Sequence, residues 1–282
     1  MNASRILEHP AALTNQIRRI AYQAGEITLD YFDNSGLIDS TAKSDGSPVT
    51  IADQQAEDYI ISELTKITPD IPIIGEECFA AGHRPDLSTS EYYWLVDALD
   101  GTKEFISGSG EYTVNIALIH NGDPIIGVVY APFLGELYAG NPETGAIRQL
   151  VDDKSERRIE TRPIPSKGIT VVSSKSHGSA EKLNEFLEQF KVEKIIKKGS
   201  SLKICAIAAG KADLYPRFGP TCEWDTAAGD AVLRAAGGGL TDTEGFPLRY
   251  TAQDPKLLNP EFIAWSGDLI MAHQEALQNE AL

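Results

Sequence analysis

Four apolar segments follow one another between residues 112 and 150, and turn residues separate each from the next. The segments read YTVNIALI, DPIIGVVYAP, GELYAG and GAIRQL, with Asn-Gly, Pro and Gly between them. Apolar runs of this length, bounded by such residues, are typical of strands joined by tight turns. This part of the chain therefore predicts an antiparallel sheet.

Helical and mixed segments surround this predicted sheet. Apolar side chains recur at helical spacing over 13–33 and again from Thr50 onward, and a short strand is predicted at 71–74. After a polar stretch at 152–168, we predict strands at 169–173, 194–197, 212–216, 239–250 and 262–265 and helices at 179–190, 201–210 and 225–236. The class is layered α/β of mixed type (α+β), and the polar stretch predicts an N-terminal half, 1–163, and a C-terminal half, 164–282.

Charge and composition limit the class of partner. The 282 residues carry a formal net charge of −16, which argues against a nucleic-acid polymer but permits a small phosphorylated substrate at a locally positive or metal-bearing site. Three cysteines without a CxxC or Cys/His cluster indicate neither a zinc site nor a disulfide framework. The sequence shows no signal-peptide pattern and no membrane-spanning run. We therefore predict a cytoplasmic protein, with peripheral association with the inner membrane as the alternative, and leave the oligomeric state open.

The stretch YWLVDALDGTKEF places two carboxylates at the end of an apolar strand. Asp97 and Asp100 would repel each other there unless a divalent cation lay between them, and hard oxygen ligands are those that Mg²⁺ prefers. The Leu99 carbonyl could add a further oxygen, and the turn at Gly101 and Thr102 has N–H groups suited to a phosphate. The alternative is a pair of solvated carboxylates at an ordinary turn.

Two further acidic motifs lie at the ends of predicted elements. Glu76 lies in GEE after the strand at 71–74, and Asp225 lies in WDTAAGD at the start of a helix. Each has a structural alternative, a solvated loop pair for Glu76 and a helix N-cap for Asp225. Together with Asp97 and Asp100, they are the supply of carboxylates from several elements that a two-metal phosphate site needs.

Asp53 and Thr102 form a second kind of candidate pair. The sequence T-I-A-D from Thr50 to Asp53 has capping-box spacing, so Asp53 has a structural interpretation. In the functional one, the Asp53 carboxylate accepts a proton from the Thr102 hydroxyl and helps to orient an attacking water.

Cations and hydroxyls cluster in SSKSH, KKGSSLK and YPRFGP, where they could bind anionic groups. Lys203 and Arg217 are candidates to hold a second phosphate. His177 is a candidate contact for a base or a phosphate, with simple exposure as its alternative. Ser200 precedes a predicted helix, and a capping role is its alternative.

The acidic motifs GEE, DALDGTKEF and WDTAAGD, in this order and separation, resemble those of the inositol monophosphatase superfamily, whose members are magnesium-dependent and lithium-sensitive. The resemblance runs from KSDGSPVTIAD to LLNPEF. The segment GSSLKICAIAAGKADLYPRFGPTCEWDTAAGDAV is similar to the bacterial 3'(2'),5'-bisphosphate nucleotidase branch. The family implies an α-β-α-β-α layered sandwich of two halves and two or three Mg²⁺ ions.

The resemblance also implies a role for each candidate residue. The positions that match its metal ligands are Glu76, Asp97 as a bridge between ions, the Leu99 carbonyl, Asp100 and Asp225. Thr102 with Asp53 matches the pair that positions the water, and Gly101 with Thr102 matches the phosphate-binding turn. The residues that fall in nucleotide-contacting regions are Ser174, His177, Ser200, Lys203 and Arg217.

The reaction implied is in-line attack of a metal-activated water on the 3'-phosphate of adenosine 3',5'-bisphosphate, giving AMP and phosphate. The sulfated precursor of this nucleotide is a further expected substrate, with a role in sulfur assimilation. Alternatives within the superfamily act on inositol monophosphate or fructose bisphosphate. A haloacid-dehalogenase-type phosphatase needs a nucleophilic Asp where this chain has Ala98. A non-catalytic sensor would bind the nucleotide with magnesium and release no phosphate.

Overall fold

The computed structural model describes residues 6–33, 48–174 and 180–280. Its strands are β1 (Ile73–Gly75), β2 (Tyr92–Asp100), β3 (Thr113–His120), β4 (Asp123–Ala131), β5 (Glu136–Asn141), β6 (Gly145–Leu150), β7 (Glu156–Ile159), β8 (Ile169–Ser174), β9 (Val192–Lys198), β10 (Leu214–Arg217), β11 (Gly239–Asp242) and β12 (Phe262–Trp265). Its helices are α1 (Pro10–Leu29), α2 (Pro48–Ile67), α3 (Glu76–Ala80), α4 (Thr102–Ile106), α5 (Ala180–Leu187), α6 (Leu202–Ala208), α7 (Glu223–Ala235) and α8 (Gly267–Glu280).

The first sheet contains β1 to β7 in the order of the chain. β1 runs parallel to β2, and each later strand is antiparallel to the one before it. The antiparallel run predicted over 112–150 is therefore confirmed. Because short turns join the strands, as the Asn-Gly, Pro and Gly residues between them indicate, strands that are neighbours in sequence become neighbours in the sheet.

The two longest helices, α1 and α2, cover one face of this sheet. Leu13 and Ile17 of α1 and Ile60 of α2 are fully buried with Trp94 and Val96 of β2. These are the apolar stripes that the helical spacing of both segments predicts. No helix in the described part of the chain combines the length and the hydropathy that a membrane span requires.

Helix α7 packs against the other face of the first sheet through small residues. A Cβ at Gly127 of β4 would lie 2.2 Å from the Ala228 carbonyl oxygen, and one at Gly140 of β5 would lie 2.7 Å from the Val232 Cα. Helix and sheet therefore approach backbone to backbone, with no room for a larger side chain. This contact holds α7, and with it Asp225, against the sheet that carries the other acidic motifs.

The second sheet has the order β11-β12-β10-β8-β9 and mixes parallel with antiparallel pairs. Helices α6 and α7 lie between the two sheets, where their side chains share one core with both. Leu187 of α5 and Leu269 of α8 are buried with Val171 and Trp265 on the outer face. The layers are therefore α-β-α-β-α, as the family resemblance implies, and the predicted fold class is confirmed.

Some local predictions are wrong. Residues 156–159 of the polar stretch form the edge strand β7. Its first three side chains are exposed and polar, so the strand lacks the alternation of apolar and polar residues by which strands are predicted. Residues 243–250 form no regular strand: the chain turns after β11, and Pro247 is paired only in an isolated bridge with Thr241. The predictions also omit α3, which is too short to show helical periodicity, and α8. The division into halves at residue 163 stays a prediction.

The capping-box interpretation of Asp53 is wrong as well. Helix α2 begins at Pro48, which places Thr50 inside the first turn rather than at the N-cap. Proline suits the first turn because its missing N–H has no intrahelical partner there. Asp53 is 2% exposed and lies on the buried side of the helix, so its position calls for another explanation.

Candidate active site

The strand that carries the two predicted aspartates contains a bulge between them. Asp97 lies opposite Asn115 and Asp100 lies opposite Thr113, so two residues of β2 face a single residue of β3. In a regular strand, side chains three residues apart point to opposite faces. The bulge adds one residue, so both carboxylates point toward the starts of α6 and α7, while the two residues between them pack toward α1 and α2.

Three of the predicted ligands converge at this end of the sheet. One carboxylate oxygen each of Glu76, Asp97 and Asp225 lies within 4.8 Å of the others. Glu76 follows β1 directly, and β1 and β2 are parallel neighbours, so their carboxyl ends share one edge. Asp225 approaches from the first turn of α7.

Burial and mutual repulsion act on this cluster together. Asp97 is 1% exposed, and burial raises the pKa of its carboxyl well above the usual value, with Glu76, Asp100 and Asp225 adding to the effect by repulsion. Burial also raises the pKa of Asp225, followed by repulsion from Asp100. A divalent cation would remove both penalties, and carboxylate oxygens are the donors that Mg²⁺ takes. The residues present therefore fit a hard divalent ion.

The N-cap alternative for Asp225 is wrong, because the N-cap residue of α7 is Cys222 and Asp225 is the third residue of the helix. Its Oδ2 accepts a hydrogen bond of 2.8 Å from the N–H of Cys222, which is the N-cap residue of α7. Asp225 thus caps the helix from the third position while it faces Glu76 and Asp97. Beside it, the N–H of Leu99 donates to Asp97 Oδ1 at 3.0 Å, and the proposed role of the Leu99 carbonyl stays a prediction.

Asp100 lies outside the group of three and accepts hydrogen bonds from two serines at the start of α6 and from β3. Its Oδ2 accepts hydrogen bonds from the N–H of Ser201 at 2.8 Å and from the hydroxyl of Ser200 at 2.5 Å. The amide of Asn115 donates to the same oxygen at 3.4 Å. None of these bonds goes to Oδ1, which leaves that oxygen available to a cation.

Sequence reasoning missed Ser201 and Asn115, which complete this network. The Ser201 hydroxyl donates to the Asp225 carbonyl at 2.7 Å and accepts a bond of 3.0 Å from Asn115. The N-cap of α6 is Ser201, so the capping alternative for Ser200 is wrong: Ser200 instead adopts a positive φ of 51° and bonds Asp100 and Thr113. A polar Asn inside the apolar run YTVNIALI was the available signal, because a buried amide needs partners.

Gly101 and Thr102 form the turn from β2 into α4. Gly101 has a φ of 96°, and a Cβ there would lie 3.3 Å from the Cβ of Ser200, so the turn needs glycine. Thr102 is the first residue of α4, and Phe105 of that helix packs on Ala52 of α2, next to Asp53. This packing places Asp53 and Thr102 on adjoining helices, and their direct pairing stays a prediction.

Most of the predicted site residues line one cavity of about 330 Å³. It opens between the end of β2 and the second sheet, and the lining includes Asp100, Gly101, Thr102, Ser174, Ser200, Lys203, Arg217 and Asp225. Motifs that are far apart in sequence thus share a single space. His177 lies outside the described residues.

Two buried cations lie in the wall of the cavity. Lys203 and Arg217 are each 8% exposed, which is rare for their residue types. Burial lowers the pKa of Lys203, and the charge of Asp100 opposes that effect. The Arg217 guanidinium donates to the Pro220 carbonyl at 3.0 Å. The cavity therefore has an acidic end and a basic wall.

A family model described as "Inositol monophosphatase family" matches residues 9–279. The chain belongs to the inositol monophosphatase family. Among the family members it resembles is the 3'(2'),5'-bisphosphate nucleotidase CysQ of Escherichia coli K12, 43% identical over 253 residues that cover 89% of this chain and 98% of that protein. The predicted superfamily and its bisphosphate nucleotidase branch are both confirmed.

Solved structures of the inositol monophosphatase family share the fold. CysQ from Bacteroides thetaiotaomicron superimposes with a TM-score of 0.77 at 36% identity, covering 92% of this chain and 98% of that one. An inositol monophosphatase from Zymomonas mobilis gives a TM-score of 0.75 at 24% identity, covering 96% and 99%, which shows the shared fold alone.

Proposed function

We propose that this chain is a magnesium-dependent phosphatase that hydrolyses the 3'-phosphate of adenosine 3',5'-bisphosphate to AMP and phosphate. The observation that carries the proposal is the pair of buried cations, Lys203 and Arg217, in the wall of a cavity whose other end is acidic. A substrate with two separate phosphates suits two such regions, one for the phosphate that is cleaved and one for the phosphate that is retained. The resemblance to CysQ proteins of this named activity supports the same substrate.

The acidic end would hold the metal. Glu76, Asp97 and Asp225 would ligate it, with Asp100 and the Leu99 carbonyl completing the set, and two or three Mg²⁺ ions are expected. When bound, Mg²⁺ supplies charge to neutralise phosphoryl oxygens and lowers the pKa of a water.

The chain's own residues orient the reactants. The N–H groups at Gly101 and Thr102 would bind the phosphate that is cleaved, and the Asp53 carboxylate would accept the Thr102 proton. The Thr102 oxygen can then accept a hydrogen bond from the attacking water and aim it in line with the leaving 3'-oxygen. No nucleophilic side chain and no phosphoenzyme is needed.

The basic wall would bind the rest of the nucleotide. Lys203 and Arg217 would hold the 5'-phosphate, and Ser174, Ser200 and His177 are proposed as further contacts. Ser200 has a second role because its hydroxyl bonds Asp100, so it links the nucleotide side of the cavity to the metal side.

Several finer points belong to this proposal. The sulfated precursor carries the same 3'-phosphate, so we expect its hydrolysis as well, with a role in sulfur assimilation and inhibition by lithium. A cytoplasmic location, with peripheral association with the inner membrane as the alternative, stays a prediction from the sequence. Inositol 1-phosphate and fructose 1,6-bisphosphate are the alternative substrates.

Phosphate release from a panel of substrates tests the proposal. The panel contains adenosine 3',5'-bisphosphate, inositol 1-phosphate and fructose 1,6-bisphosphate, each with magnesium and with or without lithium. We expect the highest kcat/KM for the adenosine compound. Preference for inositol 1-phosphate or for fructose 1,6-bisphosphate would support the alternative substrates, and nucleotide binding without phosphate release would identify a sensor.

A matched pair of variants tests the role of the basic wall. Lys203→Met should raise the KM for adenosine bisphosphate more than that for inositol 1-phosphate, which has no second phosphate. Lys194→Met removes an exposed lysine from the same half and should change neither value.

A further inference from the structure

Glu57 is a buried carboxylate of α2 that none of the roles above includes. It is 1% exposed and lies four residues after Asp53, on the same side of the helix. Removing a carboxylate from water is costly unless hydrogen bonds replace those of the solvent. The partners of Glu57 therefore indicate what it is for.

Both oxygens of Glu57 accept backbone hydrogen bonds from the start of α3. Oε2 accepts one from the N–H of Glu77 at 2.9 Å, and Oε1 accepts one from the N–H of Cys78 at 2.8 Å. A Cβ at Gly75 would lie 2.4 Å from the Glu57 Cδ, so the carboxylate packs directly on the Gly75 backbone. Glu57 thus contacts the residues on both sides of Glu76.

Helix α3 is too short to be stable by itself, so its position depends on contacts with the rest of the protein. It has five residues, far fewer than an isolated helix needs, and its N-cap residue Gly75 has no side chain to accept the free N–H groups of the first turn. Glu57 supplies acceptors for two of these N–H groups from another helix, and its negative charge suits a helix N-terminus.

We propose that Glu57 is a positioning residue for Glu76. By holding the first turn of α3 at two N–H groups, it keeps the Glu76 carboxylate beside those of Asp97 and Asp225. The inference rests on the proposed function, in which Glu76 is a metal ligand. One face of α2 would then have two roles at the site, with Asp53 acting on the water and Glu57 holding the first turn of α3.

The test compares Glu57→Gln with Asp58→Asn, which removes the same charge from the neighbouring, exposed position. Glutamine keeps the length but offers one acceptor and an NH₂ group that faces a donor. In the metal-free protein, we expect amide exchange at Glu77 and Cys78 to become at least about tenfold faster in Glu57→Gln. We expect Mg²⁺ and Mn²⁺, titrated by calorimetry, to bind about 10–100-fold more weakly, as for partners that orient ligands. Asp58→Asn should match wild type in both.

Turnover adds a third readout. In Glu57→Gln, the metal concentration for half-maximal activity should rise, while kcat recovers when metal is saturating. If wild type binds neither Mg²⁺ nor Mn²⁺, the proposed function fails. If wild type binds metal and Glu57→Gln binds it equally well, the inference about Glu57 is overturned, even where thermal stability falls.

A second variant covers the case in which Glu57→Gln does not fold. Glu57→Asp keeps the charge but shortens the side chain, so it should reach only one of the two N–H groups. Faster exchange at one amide and a smaller loss of metal affinity are expected. Unchanged exchange at both amides and unchanged affinity would overturn the proposal.

Discussion

The N–H of Ser201 donates a hydrogen bond of 2.8 Å to Asp100 Oδ2, so the start of α6 holds a carboxylate at the end of β2. The Ser201 hydroxyl adds a bond to the Asp225 carbonyl at 2.7 Å. One serine at the start of α6 therefore ties together two of the acidic motifs. The four predictions that follow concern the charges and hydroxyls of this region.

Ser201→Ala should lower the free energy of unfolding by about 1–3 kcal/mol, because it removes the acceptor of one N–H of the buried Asn115 amide and the hydroxyl that donates to the Asp225 carbonyl. Urea denaturation of the metal-free protein measures the change. Ser62→Ala, at an exposed position on α2, is the control and should be within about 0.5 kcal/mol of wild type. A loss no larger than that of the control would mean that water replaces the Ser201 hydroxyl.

Asp97→Asn should abolish turnover while the protein remains folded. The buried carboxylate is proposed to bridge metal ions, so its loss should exceed the 10–100-fold effect of residues that only orient ligands. Metal-free Asp97→Asn should also melt at a higher temperature than wild type, because repulsion with Glu76, Asp100 and Asp225 is removed. Near-normal turnover would refute the metal assignment, and exposed Asp70→Asn serves as the control.

Thr102→Ala should reduce kcat by about 10²–10⁴-fold, the usual contribution of positioned proton transfer, with little change in metal affinity. Thr102→Ser keeps the hydroxyl and should retain most of the rate. Steady-state kinetics and calorimetric metal titration separate the two effects. Equal losses of rate and of metal affinity in Thr102→Ala would show that the residue is structural.

Glu223 predicts a pH dependence of stability. It is 4% exposed, and burial raises the pKa of its carboxyl to about 7. Hydrogen bonds from the N–H groups of Ala252 and Thr251 lower this pKa, but by less than burial raises it. The folded state therefore keeps a proton that the unfolded state has already lost above pH 4.5. Stability through this group is fully present below the unfolded pKa and is lost as the pH rises from 4.5 to about 7.

The measurement is the difference in unfolding free energy between wild type and Glu223→Gln, both without metal, across that range. Relative to the variant, wild type should lose about 1.4 kcal/mol for each pH unit. Taking the difference cancels the titration of the acidic cluster, which is present in both proteins. For the exposed control Glu244→Gln, the unfolding free energy should change with pH as it does in wild type. The prediction would be refuted if Glu223→Gln also showed the same pH dependence as wild type.

Much of the architecture was predictable because its causes are local. Turn residues between apolar runs predicted the antiparallel sheet, and helical spacing predicted α1 and α2, although the latter begins at Pro48 rather than at Thr50. The strand β7 was missed because an edge strand with exposed side chains lacks an apolar pattern. The acidic motifs were predictable as a set, because each lies at the end of an element.

The contacts that orient those motifs could not be predicted. The bulge in β2 depends on its register with β3, and without it Asp97 and Asp100 would point to opposite faces. The hydrogen bonds between Glu57 and α3 join residues twenty and twenty-one positions apart, and no sequence pattern within either segment predicts them.

The sequence by itself therefore determined most of the strands and helices, the family, and which carboxylates are candidates for a metal. Periodicity and turn chemistry act over a few residues, so they can be read along the chain. Only the tertiary structure decided that Ser201 holds Asp100, that Glu57 holds the first turn of α3, and that Lys203 and Arg217 share a cavity with Asp225. These contacts join residues that are far apart in the chain, and their partners are chosen by strand register and by the packing of α2, α6 and α7 around the sheets.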